Sequence, residues 1–212
     1  MQAQSSKNWR KQHEEIERLF LDYLKPNCGL VLKGGTALMM CYGLNRFSED
    51  LDFDALHKLS TISLVKKFCK QNNFELSVKK NTDTVQRATI HYGDTKPLKI
   101  ETSYRRLKID SCEYTTKNNV CVYTIETLAM MKLNAYLNRD KLRDLFDTIF
   151  IVNNYWGNLP HTIKLAFQNA FSEKGFDYFE LIVAQQQDDL IDAEVLTNNF
   201  FNALEIMDLQ RG

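Results

Sequence analysis

The chain has 212 residues, of which 44% are hydrophobic and 25% charged, enough for one domain or two small lobes around a hydrophobic core. Its 27 basic and 27 acidic side chains give a formal net charge of zero, so the chain as a whole is neither a strongly basic nor a strongly acidic protein. No apolar run approaches the ~20 residues that cross a bilayer, and the polar N-terminus lacks the apolar stretch of a signal peptide. We therefore expect a cytoplasmic protein without membrane contact.

The five cysteines are scattered and form no CxxC pair or Cys/His cluster. In a reducing compartment this usage predicts free thiols rather than disulfides or zinc ligands.

The first predicted element is an amphipathic helix over about residues 6–25 that ends before Pro26. Its apolar residues recur at helical spacing and predict a buried stripe: Trp9, Ile16, Leu19, Phe20 and Leu24.

A short strand and a helix follow. The apolar run from Leu30 to Leu32 predicts the strand, Gly34 and Gly35 interrupt it, and Thr36 is a suitable cap for a helix that begins at Ala37. A strand that ends in two glycines at a helix N-terminus leaves backbone N–H groups free to bind an anion. Taken alone, the same pattern is also that of an ordinary turn.

The next predicted strand carries three acids. Asp50, Asp52 and Asp54 alternate with Leu51 and Phe53, so the acids share one face while the apolar residues point into the core. Carboxylates about 7 Å apart along a strand can converge on hydrated magnesium. The solvent-facing side of an amphipathic strand gives the same pattern.

Two familiar site types do not fit these residues. The Gly-Gly-Thr turn lacks the spacing and the Gly-Lys-Ser/Thr ending of a P-loop. The acids begin like a calcium loop, but Ala55 stands where glycine is needed and Thr61 where the bidentate glutamate belongs.

The middle of the chain predicts a helix from Ser60 or Thr61 to Asn72, and then three strands. The strands cover residues 74–78, 85–92 and 98–104, and the turn residues between them favour an antiparallel meander. If the third strand lies beside the acid strand, Glu101 becomes a third site carboxylate. On an exposed edge, Glu101 and Lys99 would simply be solvated.

The remainder is predicted to be helical. Thr124 begins a helix that runs to Asn138, Asp140 can cap another that ends at Asn154, and three more helices follow between residues 160 and 209. Lys132, Asp144 and Asp147 lie on these helices, where the usual role of such charges is local ion pairing.

The motifs Lys33-Gly-Gly-Thr-Ala-Leu38, Tyr42-Gly-Leu44 and Arg46-Phe-Ser-Glu-Asp-Leu-Asp-Phe53 together resemble the AbiEii/AbiGii-type nucleotidyltransferase toxins of the polymerase-beta-like superfamily. The resemblance continues in Leu98–Glu101, Leu128–Lys132 and Lys141–Asp147, so it touches roughly residues 30 to 150. The superfamily usually has Gly-Ser before its acids, where this chain has Gly35-Thr36.

This resemblance implies an α+β fold in which helices flank a small mixed sheet. We expect a nucleotidyltransferase lobe over residues 1–123 and a helical lobe over residues 124–212 that closes a cleft over it. The implied reaction moves a nucleotide from an NTP to an acceptor, an RNA such as a tRNA end, in a toxin restrained by an antitoxin.

The resemblance also implies roles for individual residues. Asp50, Asp52 and Glu101 would hold Mg²⁺ or Mn²⁺ and, with Lys132 and Asp144, form the catalytic set. The nucleotide would be bound by the glycine turn and its neighbours: Lys33, Gly34, Gly35, Thr36, Arg46, Ser48 and Lys132.

The distribution of charged residues along the chain bears on whether the acceptor is a nucleic acid. Residues 58–108 contain twelve Lys/Arg and four acids, whereas residues 160–212 contain three and nine. A basic middle segment is typical of a nucleic-acid face, although plain solvation explains it equally well. Two rival functions stay open: nucleotidyl transfer to a small molecule or protein, and a catalytically silent nucleotide-binding module that uses its acidic end for a partner.

Overall fold

The computed structural model describes residues 2–25, 29–93, 96–106 and 108–209. The chain divides into two compact units, which we call the sheet unit and the helical unit. The sheet unit is Met1–Gly43 with Phe47–Tyr123, and the helical unit is Leu44–Arg46 with Thr124–Gly212.

The sheet unit combines helices with one mixed sheet. Its helices are α1 (Gln2–Leu24), α2 (Gly34–Tyr42) and α3 (Thr61–Asn72). Its strands are β1 (Leu30–Lys33), β2 (Asp50–Ala55), β3 (Glu75–Asn81), β4 (Val85–His91), β5 (Leu98–Ser103), β6 (Tyr114–Lys117) and β7 (Val120–Tyr123). They pair in the order β3-β4-β5-β2-β1-β7-β6.

The strand pairing places β5 beside the acid strand. β3, β4 and β5 form the predicted antiparallel meander, and β5 runs parallel to β2. Leu51 and Phe53 of β2 are at most 1% exposed, and Ile100, opposite Leu51, is equally buried. One face of these central strands is therefore core, which leaves the alternate residues for the opposite face.

The described residues of the helical unit form four α-helical elements and one 3₁₀ turn. They are α4 (Ile125–Asn138), α5 (Leu142–Tyr155), the turn Trp156–Asn158, α6 (His161–Gln185) and α7 (Ala193–Ile206). α4 packs against α5 and α6, and α5 packs against α7. At Gly175, where φ is +67°, the backbone of α6 is not helical, so α6 consists of two helical segments joined at a kink. With α7, these segments are the three final helices predicted from the sequence.

The predicted α+β fold is confirmed. The predicted helix starts near Ser60 and at Thr124 are also confirmed, and the hydroxyls of these two residues accept from Ser63 N–H and Thr127 N–H. Three local predictions are wrong. α2 begins at Gly34, so Thr36 lies inside the helix. Asp140 does not cap α5, because its carboxylate accepts hydrogen bonds from Lys174 and Tyr178. Leu19 is 42% exposed and lies outside the buried stripe of α1.

β6 and β7 form an antiparallel hairpin that the sequence patterns did not predict. Asn118 and Asn119 connect the two strands, with φ of +48° and +63°. Asparagine tolerates this left-handed region, and two such residues form the type of turn that joins twisted antiparallel strands. The Asn-Asn pair between two β-prone runs is the signal that identifies this hairpin.

The structure bears on the predictions about membrane segments and cysteines. None of the helices in the described part of the chain is both long enough and apolar enough to cross a bilayer. Cys41, Cys69 and Cys112 are free thiols, as predicted, and Cys28 lies outside the described residues.

Two polar side chains of α1, His13 and Glu17, are completely buried. Nε2 of His13 donates to the carbonyl of Glu49 at 2.9 Å, and Nδ1 contacts the hydroxyl of Tyr92. Both carboxyl oxygens of Glu17 lack a hydrogen-bond partner among the described residues, and Oε1 is 3.9 Å from Nε2 of His13. Burial, with the negative charge of nearby Glu14 and Asp50, raises the pKa of Glu17 to about 9, so its carboxyl is neutral at pH 7.

We expect Glu17→Gln to flatten the pH dependence of stability. The folded protein holds the Glu17 proton up to about pH 9, whereas the unfolded chain releases it at about pH 4.3. Stability from this group is therefore complete below the unfolded pKa and falls as pH rises through the folded pKa, with a slope of up to about 1.4 kcal/mol per pH unit.

Urea denaturation from pH 5 to pH 8 measures this effect. The wild type should lose stability relative to Glu17→Gln as pH rises, and the exposed control Glu15→Gln should follow the wild type. Parallel curves for all three proteins would show that Glu17 does not titrate in this way.

Candidate active site

Asp50 and Asp52 lie on the face of β2 opposite the buried Leu51 and Phe53. The side chain of Asp50 is 44% exposed, whereas Asp54, further along the same face, is 4% exposed. The predicted alternation of acids and apolar residues is therefore confirmed, with the accessible acids at the start of the strand.

A row of four charged residues crosses four neighbouring strands. The pairing of β1 with β2 places Lys33 opposite Asp52, β5 places Glu101 beside Asp52, and β4 places Arg87 beside Glu101. Residues opposite each other on paired strands share a face and have Cβ atoms about 5 Å apart. We call Lys33, Asp52, Glu101 and Arg87 the central row, which has two acids in the middle and a cation at each end.

Asp52 is the site acid without a partner. Lys99 donates to Asp50 at 2.9 Å, and Nε and Nη2 of Arg87 lie 2.6 Å and 2.5 Å from one oxygen of Glu101. No hydrogen bond or ion pair to the Asp52 carboxylate exists among the described residues. Burial raises the pKa of Asp52, and the charges of Asp50 and Glu101 raise it further, against the opposing effect of Lys99. A cation beside Asp52 would relieve both effects.

The donor chemistry of the three acids suits a hard divalent cation, since carboxylate oxygens are the ligands that Mg²⁺ and Mn²⁺ prefer. With Lys99 and Arg87 in their present positions, no three His, Cys, Asp or Glu side chains in the described ranges are grouped to hold a metal ion. A metal would bind through the unpaired Asp52 and would compete with these two cations for Asp50 and Glu101.

Lys33, at the other end of the central row, is held by Asp54. Its ammonium nitrogen lies 2.5 Å from Oδ1 of Asp54, and the hydroxyl of Tyr123 donates to Oδ2 at 2.9 Å. Asp54 thus fixes the cation that immediately precedes the glycine turn. The sequence pattern predicts only that Asp54 lies on the same face as Asp50 and Asp52. Its burial and its partner on β7 depend on strand pairing that local pattern does not show.

The glycine turn lies directly against Asp52. Gly34 has φ of +81°, and a Cβ built on it would lie 3.6 Å from Oδ2 of Asp52. Gly35 and Thr36 continue into the first turn of α2, so the free N–H groups of that helix begin beside the acid.

Thr36 does not cap a helix; its side chain and that of Ser48 instead form hydrogen bonds at the start of β2. The Thr36 hydroxyl donates to the Asp50 carbonyl at 2.5 Å, and its oxygen is 2.9 Å from Oγ of Ser48. Both residues are buried, so their hydroxyls fix the backbone from which Asp50 projects.

The remaining predicted site residues lie in the helical unit. Nε and Nη2 of Arg46 donate to the two oxygens of Asp147 at 2.7 Å and 2.6 Å, and Lys132 lies 2.6 Å from Asp147. Asp144 pairs with Lys132 at 3.5 Å and with Arg139 at 2.6 Å.

Burial alone would raise the pKa of Asp147, but the charges of Lys132 and Arg46 outweigh it and hold that pKa below its ordinary value. The local ion pairing left open by the sequence is therefore present around Lys132, Asp144 and Asp147. Substrate contact by Arg46, Lys132 and Asp144 stays a prediction.

We expect Gly34→Ala to destabilise the protein by about 1–2 kcal/mol, because a side chain at positive φ strains the backbone. The space itself is sufficient, since 3.6 Å is an ordinary contact. The matched control is Gly157→Ala, whose added Cβ has nothing within 4 Å and whose φ is not positive. Urea denaturation of both variants measures the difference, and equal stability would show that the turn tolerates a side chain.

Two solved structures are similar to this chain over most of its length. The structure of JHP933 from Helicobacter pylori is similar over 94% of this chain and 92% of that one, with 30% sequence identity and a TM-score of 0.78. The structure of an H. pylori protein described as a candidate nucleotidyltransferase is similar over 93% and 94% of the two chains, with 30% identity and a TM-score of 0.74.

Among curated proteins no significant sequence match was found. Residues 19–210 match the family model for the nucleotidyl transferase AbiEii toxin of type IV toxin–antitoxin systems. The chain therefore belongs to the AbiEii toxin family and is a nucleotidyltransferase.

Proposed function

We propose that this nucleotidyltransferase moves an NMP group from an NTP to an RNA acceptor, such as a tRNA end, with Mg²⁺ or Mn²⁺ as its cofactor. The observation that carries the proposal is the unpaired, half-buried Asp52, which lies between Asp50 and Glu101 and against the glycine turn. An acid beside a phosphate-binding turn is the arrangement that metal-assisted phosphoryl chemistry needs.

The acids on β2 and β5 are the proposed metal ligands. Asp52 would bind first, because it has no ion pair to break, and Asp50 and Glu101 would follow by releasing Lys99 and Arg87. Divalent cations held there would activate the acceptor hydroxyl and neutralise charge on the departing pyrophosphate.

The triphosphate would lie at the β1 end of the central row. Gly34 and Gly35 are the first residues of α2, so their backbone N–H groups have no acceptor within the helix, and the N-terminus of α2 favours negative charge there. Lys33 adds an ammonium group, of which Asp54 occupies one of three donor positions.

In the helical unit, Lys132 and Arg46 are proposed to offset further phosphate charge, and Asp144 is proposed as an additional acid. Both cations bind Asp147, so that carboxylate fixes their positions.

An RNA acceptor is supported by the basic middle segment. Lys79 of β3 is exposed, as are Arg105 and Lys108 after β5. These side chains are available to phosphates, because no hydrogen bond or ion pair to their charged groups exists within the described ranges. A polyanionic acceptor explains such a surface better than a small uncharged one does.

Membership of a type IV toxin–antitoxin family implies an antitoxin partner. We propose that nucleotidyl transfer to RNA is the toxic activity that this partner restrains.

Asp52→Asn should reduce transfer by at least about 100-fold, since a metal-bound carboxylate contributes several kcal/mol of transition-state stabilisation. Mn²⁺ affinity should fall with it, while the fold is retained, because the change removes an unpaired charge. The assay is incubation with each labelled NTP and total RNA, followed by gel electrophoresis, with Mn²⁺ binding measured by calorimetry.

The control is Asp83→Asn, an exposed acid in the turn before β4, which should transfer normally. Wild-type activity and Mn²⁺ binding in Asp52→Asn would refute metal-dependent transfer at this site. Label on protein or on a small molecule, with none on RNA, would refute the RNA acceptor.

A further inference from the structure

The central row continues beyond Glu101 with cations alone. β3 pairs with β4 so that Lys80 is opposite Arg87, which is itself opposite Glu101. β3 is the edge strand on this side of the sheet, and Lys80 is exposed. From β1 to β3 the row therefore reads Lys33, Asp52, Glu101, Arg87 and Lys80.

The glycine turn fixes the direction of this row. Gly34 lies against Asp52 from the β1 side, so a triphosphate on that turn occupies the end that holds Lys33. Arg87 and Lys80 lie at the opposite end, with the acids between. An in-line displacement at the acids has its leaving pyrophosphate on one side and its attacking hydroxyl on the other. The second pair of cations is therefore on the side of the acceptor.

Arg87 is bound weakly enough to change partner. Its ion pair with Glu101 joins side chains that are 40% and 27% exposed, and screening by solvent makes ion pairs of this kind weak. A divalent cation on Glu101 would release the guanidinium, whose planar fork matches phosphate oxygens.

Lys80 needs no release. Its ammonium has no hydrogen bond or ion pair among the described residues. A register shift between Val78 and Lys80 marks a bulge, a feature that re-aims side chains at a sheet edge.

We propose that Arg87 and Lys80 form a phosphate track on the acceptor side, which binds the backbone of an RNA strand and leads its terminal hydroxyl to the acids on β2 and β5. This inference rests on the proposed function, since the acids and the glycine turn define the two sides. It adds the residues that recognise the second substrate and requires that substrate to carry phosphates beyond its reacting end.

The test compares the double variant Arg87→Gln/Lys80→Gln with Lys66→Gln/Lys67→Gln, which removes the same charge from exposed positions on α3. Binding of total tRNA and of a non-hydrolysable NTP is measured separately, with Mn²⁺ present, at several salt concentrations. Two lost phosphate contacts should reduce the slope of log affinity against log salt by about 1.4 in the track variant. The α3 variant should keep the wild-type slope, and both should bind NTP normally.

Lys33→Met provides the converse control, because it should weaken NTP binding and leave tRNA binding unchanged. Wild-type binding of NTP without any binding of tRNA would overturn the track and leave transfer to another acceptor possible. Equal salt slopes for the two double variants, or loss in the α3 variant alone, would also overturn it. Failure of the wild type to bind NTP and Mn²⁺ would instead overturn the proposed function, and the track with it.

Discussion

The pairing of β2 between β1 and β5 is the constraint on which the site depends. Leu51 and Phe53 are at most 1% exposed, and their burial fixes the face on which Asp50 and Asp52 must lie. A one-residue slip of the strand would exchange the two faces and bury the acids. The same pairing brings Glu101 next to Asp52 and Lys33 opposite it. Core packing therefore decides which face of the sheet carries the carboxylates.

The two charged clusters of the chain differ in how fully they are compensated. In the helical unit, Asp147 is completely buried and has both Arg46 and Lys132 as partners. Removing one partner of a buried pair typically costs about 3–5 kcal/mol, so loss of Arg46 or Lys132 should destabilise the protein. In the sheet unit, Asp52 has no partner and its pKa is raised. An uncompensated carboxylate is a cost to the free protein that a bound cation would remove, whereas Asp147 is already compensated by its own two cations.

Local sequence patterns predicted the parts of the site that lie on single elements. The glycine turn follows from Leu30–Gly35, and the acid face follows from the alternation around Asp52. The partners of these residues did not follow, because Arg87 and Tyr123 reach the site through strand pairing across the sheet. Local sequence predicts Thr36 as a helix cap, because capping depends on residues close in sequence. Its hydroxyl instead donates to the Asp50 carbonyl, which is distant in sequence.

The sequence pattern of α1 also predicted only part of the buried surface of this helix. His13 and Glu17 lie outside its predicted apolar stripe, yet both are buried, and His13 contacts Glu49 and Tyr92, which are distant in sequence. Helical periodicity predicts one buried stripe and does not show how wide that stripe becomes in the folded chain. In the family comparison Glu17 and His13 precede the matched residues 19–210, so that signal does not single them out either.

The central claim is that a divalent cation binds Asp52 and its neighbours beside the nucleotide. Crystals grown with Mn²⁺ and a non-hydrolysable NTP, measured at the manganese absorption edge, test it most directly. We predict an anomalous peak within about 2.5 Å of a carboxylate oxygen of Asp52, with Asp50 or Glu101 released from its cation and phosphates at the glycine turn. A nucleotide bound at the turn with no manganese at Asp52, and with Lys99 and Arg87 still on their acids, would contradict the claim.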